Sequence, residues 1–243
     1  MIHLMPTSFD GVGAFAEGAL LAYWDGAGEE TAPRALAHGS DRIRTALDRR
    51  AFGGGRPQIL VRLDDGSDCL LEGRLVGEDD EPLETFAASV QRDRTGAITR
   101  CLVYRSPLVE PSRTWGSQSD PSPGDARTVL DAYFERLGQG RFEEAVDCFS
   151  EDCLYSHPPY APGAGRAEFR GRAELLAGFE HRGYRSYEYT LEAVLQRGAD
   201  CMIEGTASGT ALGGSFVSSL SLDEDARIQR YATFYCEPPI ERR

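Results

Sequence analysis

Apolar residues recur every three or four positions across residues 128–137, where Val129, Leu130, Tyr133, Phe134 and Leu137 trace one face of an amphipathic helix. Asp125 stands in the N-cap position ahead of it, and Gly138 or Gly140 supplies the stop. Residues 142–149 continue as a second short helix, 153–156 read as a short strand, and a loop rich in Pro, Gly and Tyr leads to a third helix over about 172–181. Beyond Tyr184 the polar and apolar positions change to strand-like patterning. Four strands are predicted, over 184–196, 201–209, 215–222 and 228–236, with hairpin turns at 197–200 and 223–226. Helices first and an antiparallel meander afterwards make an α+β plan.

The later elements of this pattern occur twice. Asp68-Cys69-Leu70-Leu71-Glu72-Gly73 returns as Asp200-Cys201-Met202-Ile203-Glu204-Gly205, an offset of 132 residues. At that offset Gly39 meets Gly171, Leu47 meets Phe179, and Gly66 meets Gly198. Residues 15–20 echo 149–154 at nearly the same offset, and 100–104 parallel 230–234. The chain therefore reads as a tandem duplication: residues 1–110, a Pro- and Ser-rich linker over 111–124, and residues 125–243. Trp115 is apolar enough to pin that linker to a domain surface. Too few residues precede Phe9 to build the first helix in the first copy, so the second copy is the complete one.

Composition narrows the functions open to the chain. A net charge of −13 argues against nucleic acid, whose phosphates call for a basic patch. No apolar run approaches the roughly 20 residues that cross a bilayer, and the N-terminus lacks a secretion signal, so a cytoplasmic protein with no membrane partner is expected. The chain contains no lysine, which excludes a Schiff-base or P-loop lysine; Gly53 to Gly55 are then a turn, not a phosphate loop. Six cysteines without a CxxC and four scattered histidines lack zinc-site spacing, so no metal is expected and the thiols read as small buried hydrophobes.

The run Tyr133-x₃-Leu137-Gly-Gln-Gly-Arg-Phe-Glu-Glu-Ala145, then Phe149-Ser-Glu-Asp-Cys153, His157-Pro158 and Phe169-Arg-Gly-Arg-Ala-Glu-Leu175, resembles the nuclear-transport-factor-2-like superfamily, in its SnoaL-like and ketosteroid-isomerase-like branch. The resemblance covers the whole second copy and, weakly, most of the first. It implies two cone-shaped domains, each a curved antiparallel sheet packed on N-terminal helices, the first degenerate and the working pocket in the second. It also implies pseudo-two-fold pairing of the two copies, with further homodimerisation open. In the isomerase branch a carboxylate base follows the first short strand and a tyrosine on the first helix helps bind the oxyanion. His157 and Tyr133 fall at these positions, as general base and hydrogen-bond donor. Ser218 stands where those isomerases carry a protonated acid. Tyr155, Tyr160, Phe179 and Ser218 are the expected ligand-binding residues.

Each residue has a structural alternative: a packed loop histidine for His157, an amphipathic core position for Tyr133, ordinary strand tyrosines for Tyr184, Tyr187 and Tyr189. Asp25, the first-copy match of His157 at the same offset, reads as a solvated loop aspartate. The expected function is binding of a small organic, polyketide-like or aromatic molecule, with cofactor-independent isomerase, cyclase or dehydratase chemistry. The alternative is a non-catalytic ligand-binding or assembly module that associates through its sheet faces.

Overall fold

A computed structural model describes residues 15–25, 35–39, 55–106, 124–158, 166–209 and 213–236. The chain divides into two compact units, Met1–Glu110 and Pro111–Arg243. The first holds β1 (Phe15–Asp25), β2 (Ala35–His38), β3 (Arg56–Asp64), β4 (Asp68–Val76), β5 (Pro82–Arg92) and β6 (Ile98–Ser106). These form one sheet in the order β2-β1-β6-β5-β4-β3. The second begins with α1 (Ala126–Gly138) and α2 (Phe142–Val146), followed by β7 (Phe149–His157), β8 (Ala167–Arg170) and α3 (Gly171–Arg182). It ends with β9 (Tyr187–Arg197), β10 (Asp200–Gly209), β11 (Gly214–Leu222) and β12 (Ile228–Cys236), in a sheet ordered β8-β7-β12-β11-β10-β9.

The two sheets share one topology down to their irregularities. The register of β3 on β4 slips between Ile59 and Val61, and that of β9 on β10 slips at the matching place, where Glu204 faces Ala193 and Gly205 faces Leu191. The β5–β6 slip between Gln91 and Arg92 recurs in β11–β12 between Ser221 and Leu222. A third slip, β1 against β6, recurs in β7 against β12. Bulges bend and twist a strand locally, so matched bulges give matched curvature. The buried polar residues match too: Glu72 with Glu204, Ser89 with Ser219, Arg100 with Arg230. Gly73 and Gly205 each lie under the Phe paired across the ladder. A Cβ on Gly73 would come within 2.5 Å of Phe86, and one on Gly205 within 2.6 Å of Phe216. This is a tandem duplication; the second unit is α+β, and among the described residues the first unit shows strands.

The sheets are mixed. The four-strand meander is antiparallel, as its tight turns require, but β1 joins β6 and β7 joins β12 in parallel. A strand that arrives from the start of the domain, with most of the domain intervening, is free to run alongside the last strand. Several boundaries differ from the sequence pattern: β9 opens at Tyr187, leaving the expected strand residue Tyr184 exposed ahead of it. α2 stops at Val146, so that Phe149 opens β7, and β8 forms where a loop is expected. β8 is a four-residue edge strand whose positions alternate only between half-buried and exposed, and it therefore carries no hydrophobic signal.

Helix α1 is held as its pattern requires. Asp125 caps it, its carboxylate accepting from the Arg127 amide at 3.1 Å and from the Thr128 hydroxyl at 2.9 Å. Its buried residues Leu130, Tyr133, Phe134 and Leu137 join Phe149, Tyr155, Phe179 and Tyr231 in the core of the second unit. The described cysteines are buried there and in the first unit, and burial raises their thiols, Cys101 and Cys201 to about 12. Inert packing groups are what the sequence leads one to expect of them. Trp115, Gly53 and the side chains of Cys236 and His38 lie outside the described residues.

Candidate functional site

Strand alternation puts every second residue on one face. In the second unit this lines up Tyr155 and His157 on β7, Tyr187 and Tyr189 on β9, and Tyr231, Thr233 and Tyr235 on β12. α1 contributes Tyr133, Phe134 and Leu137, and together these side chains border a cavity of about 200 Å³. Among the described residues, six tyrosines line it.

The rings are ordered by mutual packing. Tyr155 stacks on Tyr231 at 5.3 Å with 7° between planes, and lies parallel to His157 at 6.4 Å. Tyr133 meets Tyr231 edge-on at 5.9 Å and Phe149 at 5.1 Å. Phe134 leans on Tyr189 at 4.9 Å. Burial raises the Tyr133 phenol well above its ordinary value, reinforced by the neighbouring tyrosines, so it stays a neutral O–H donor at any physiological pH. Behind this wall, Ser218 Oγ lies 2.9 Å from both the Tyr231 hydroxyl and Thr233 Oγ1. One hydroxyl has one proton, so Ser218 donates to one neighbour and accepts from the other.

His157 closes β7 and is half-buried. Its Nδ1 lies 2.8 Å from the Pro158 carbonyl oxygen, which can only accept; Nδ1 therefore carries the proton and Nε2 is left as an acceptor. Loss of hydration is the main cause, with the positive charges of Arg182, Arg166 and Arg185, that holds the imidazole down at about 3. The sequence implies a histidine near neutrality. The structure gives one that is uncharged at pH 7 and a weaker base, because cations and burial both disfavour the imidazolium.

Charge around the cavity is one-sided. Arg182 and Arg185 line it, and among the described residues no Asp or Glu does. Arg182 lies 5.4 Å over the Phe179 ring. Arg166 is committed to the framework: Nε donates to Ser156 Oγ at 2.9 Å and Nη2 to the Thr233 carbonyl at 2.7 Å, linking β7 to β12.

The structure thus brings His157, Tyr133 and Tyr155 to one cavity. Phe179 is fully buried beneath it, edge-on to Tyr155 at 5.7 Å, and Ser218 is fully buried behind Tyr231; neither reaches the space itself. Tyr160 lies outside the described residues. Sequence patterning does not single out Tyr231, Tyr235, Arg182 or Arg185; it sets Tyr187 and Tyr189 near a pocket mouth, where strand packing alone also accounts for them. The alternation Tyr187-x-Tyr189 and Tyr231-x-Thr233-x-Tyr235 was the readable signal for most of them.

Among the described residues, the first unit does not repeat this lining. β1 pairs Leu21 with Cys101 where β7 pairs Tyr155 with Tyr231, and β3 pairs Pro57 with Leu75 where β9 pairs Tyr189 with Ala207. The same register puts Tyr23, not Asp25, at the place of His157. The side chain of Asp25 lies outside the described residues.

Residues 130–235 match the family model described as a SnoaL-like domain. No curated protein matches the chain. Among solved structures it is similar to an NTF-2 like protein of unknown function from Burkholderia xenovorans, at 17% identity and TM-score 0.40, over 49% of this chain and 87% of that one. It is also similar to a protein from Kribbella flavida described as a candidate ketosteroid isomerase, at 20% identity and TM-score 0.39, over 49% of this chain and 82% of that one. A third likeness, at 16% identity and TM-score 0.39, is to the epoxide hydrolase/cyclase-like enzyme of pyran ring formation in salinomycin, over 46% of this chain and 91% of that one.

Proposed function

We propose that the SnoaL-like domain spanning residues 130–235 binds a small, flat, partly aromatic organic molecule in its tyrosine-walled cavity. The observation that carries this reading is the wall itself: six tyrosines with a neutral histidine, around a space of about 200 Å³. Tyrosine supplies a rigid apolar face and a polar tip, which suits a ligand that is aromatic in the middle and polar at its edges. Drug-sized ligands occupy roughly 300–1,000 Å³, so the occupant is a one- or two-ring compound, and a whole steroid or tetracyclic polyketide is too large. A thermal-shift panel of one-ring, two-ring and steroid compounds tests this. One- and two-ring members raise the melting temperature, and Ala207→Leu, which fills the lining from β10, abolishes the shift while leaving the unliganded protein folded. A shift that survives Ala207→Leu unchanged puts the ligand elsewhere.

A catalytic role is favoured by one further observation: His157 and Tyr133 border the same cavity. In this second reading the domain is a cofactor-independent isomerase, cyclase or dehydratase. His157 Nε2 accepts a proton from carbon beside a carbonyl, and Tyr133, held neutral, donates a hydrogen bond to the developing enolate oxygen. His157→Ala then loses turnover of a bound substrate and retains its binding; unchanged turnover removes the catalytic reading.

A further inference from the structure

We infer that the occupant is an organic anion: a small aromatic carboxylate with its ring among the tyrosines and its carboxylate on Arg182 and Arg185. This rests on the reading of the cavity as a ligand site. The charge distribution points to it. Acidic side chains exceed basic ones by 13 in this chain, so an arbitrary patch of its surface is acidic. The cavity lining departs from that background: among the described residues it has two arginines and no carboxylate.

The placement of the arginines follows from the backbone. Arg182 is the last residue of α3, and Gly183, with a φ of 75°, turns the chain out of the helix so that Arg185 follows on the way to β9. One connection thus brings two guanidinium groups to the cavity. A guanidinium presents a planar fork of donors that fits the two oxygens of a carboxylate. The remaining polar groups of the lining are neutral: tyrosine hydroxyls, Thr233 and His157. The hydroxyls can donate to an oxyanion and none opposes it by charge. An ammonium ligand would meet two like charges and no counter-ion. The nearby Arg166 adds to the positive field while its own donors are engaged with Ser156 and Thr233.

The test compares 2-naphthoate with 2-naphthamide on the full chain by titration calorimetry, since the two differ in charge and hardly in shape. Naphthoate binds at least about tenfold more tightly, and added salt erodes that advantage. Arg185→Gln, at an exposed position, removes most of the preference and leaves naphthamide affinity unchanged. Arg182→Gln does the same, with circular dichroism confirming its fold. Equal affinity for the two probes, or a preference that survives both substitutions, overturns the anion assignment and leaves the cavity as a ligand site. Binding of neither probe overturns the ligand site with it.

Discussion

His157 shows how an environment rewrites a residue. Its position after the first short strand was legible in the sequence; its chemistry was not, because the arginines that act on it lie 9, 25 and 28 residues downstream. Hydrophobic spacing cannot report such a field. A consequence for stability follows. In the unfolded chain the imidazole titrates near its ordinary 6.5, whereas the folded one is held at about 3. Between these values the unfolded state binds more protons, so the stability linked to His157 is complete above about pH 6.5 and is lost as pH falls towards 3. Urea unfolding from pH 7 to pH 5 reads this before most carboxylates titrate. The wild type loses more stability over that interval than His157→Asn, the slopes differing by up to about one proton. Equal slopes would mean that the ring is hydrated in the folded protein. Tyr133 contrasts with it: both its helical face and its burial follow from the spacing of α1, and the structure adds only the company of Tyr155 and Tyr231.

At the scale of elements, α1 and the meander were legible because each obeys a single local period. The Asp125 cap is a local signal of the same kind. Asp125→Ala costs about 1 kcal/mol, since two donors lose their acceptor at a helix start. A denaturation midpoint checks this, and a cost near zero would show water replacing the carboxylate without loss. The edge strand β8 escaped because it carries no hydrophobic signal, and the parallel seat of β7 on β12 because its partner lies most of the domain away in sequence. The wall of the cavity falls between these cases. Alternating tyrosines on β9 and β12 announce a face, but that the face borders a cavity with β7 and α1 is set by how the sheet bends at its bulges.

The whole chain carries one plan twice and puts the tyrosine wall in one copy. Leu21 and Cys101 stand at the first unit's positions for Tyr155 and Tyr231, buried in apolar packing, and Pro57 stands at that for Tyr189. A naphthoate titration of the full chain therefore gives a stoichiometry of one, and two equivalent sites would contradict the division of labour between the copies. No described helix is long and apolar enough to cross a membrane. The sequence by itself determined the duplication and the α+β order of the second copy, and it singled out His157 and Tyr133 as candidates, because repeats, periodicity and short motifs are properties of neighbours in the chain. The tertiary structure decided which tyrosines face a common space, that Phe179 and Ser218 stand behind it, and that two arginines give it a positive charge. Those facts depend on strand register, sheet bending and long-range fields, which arise between residues that meet only after folding.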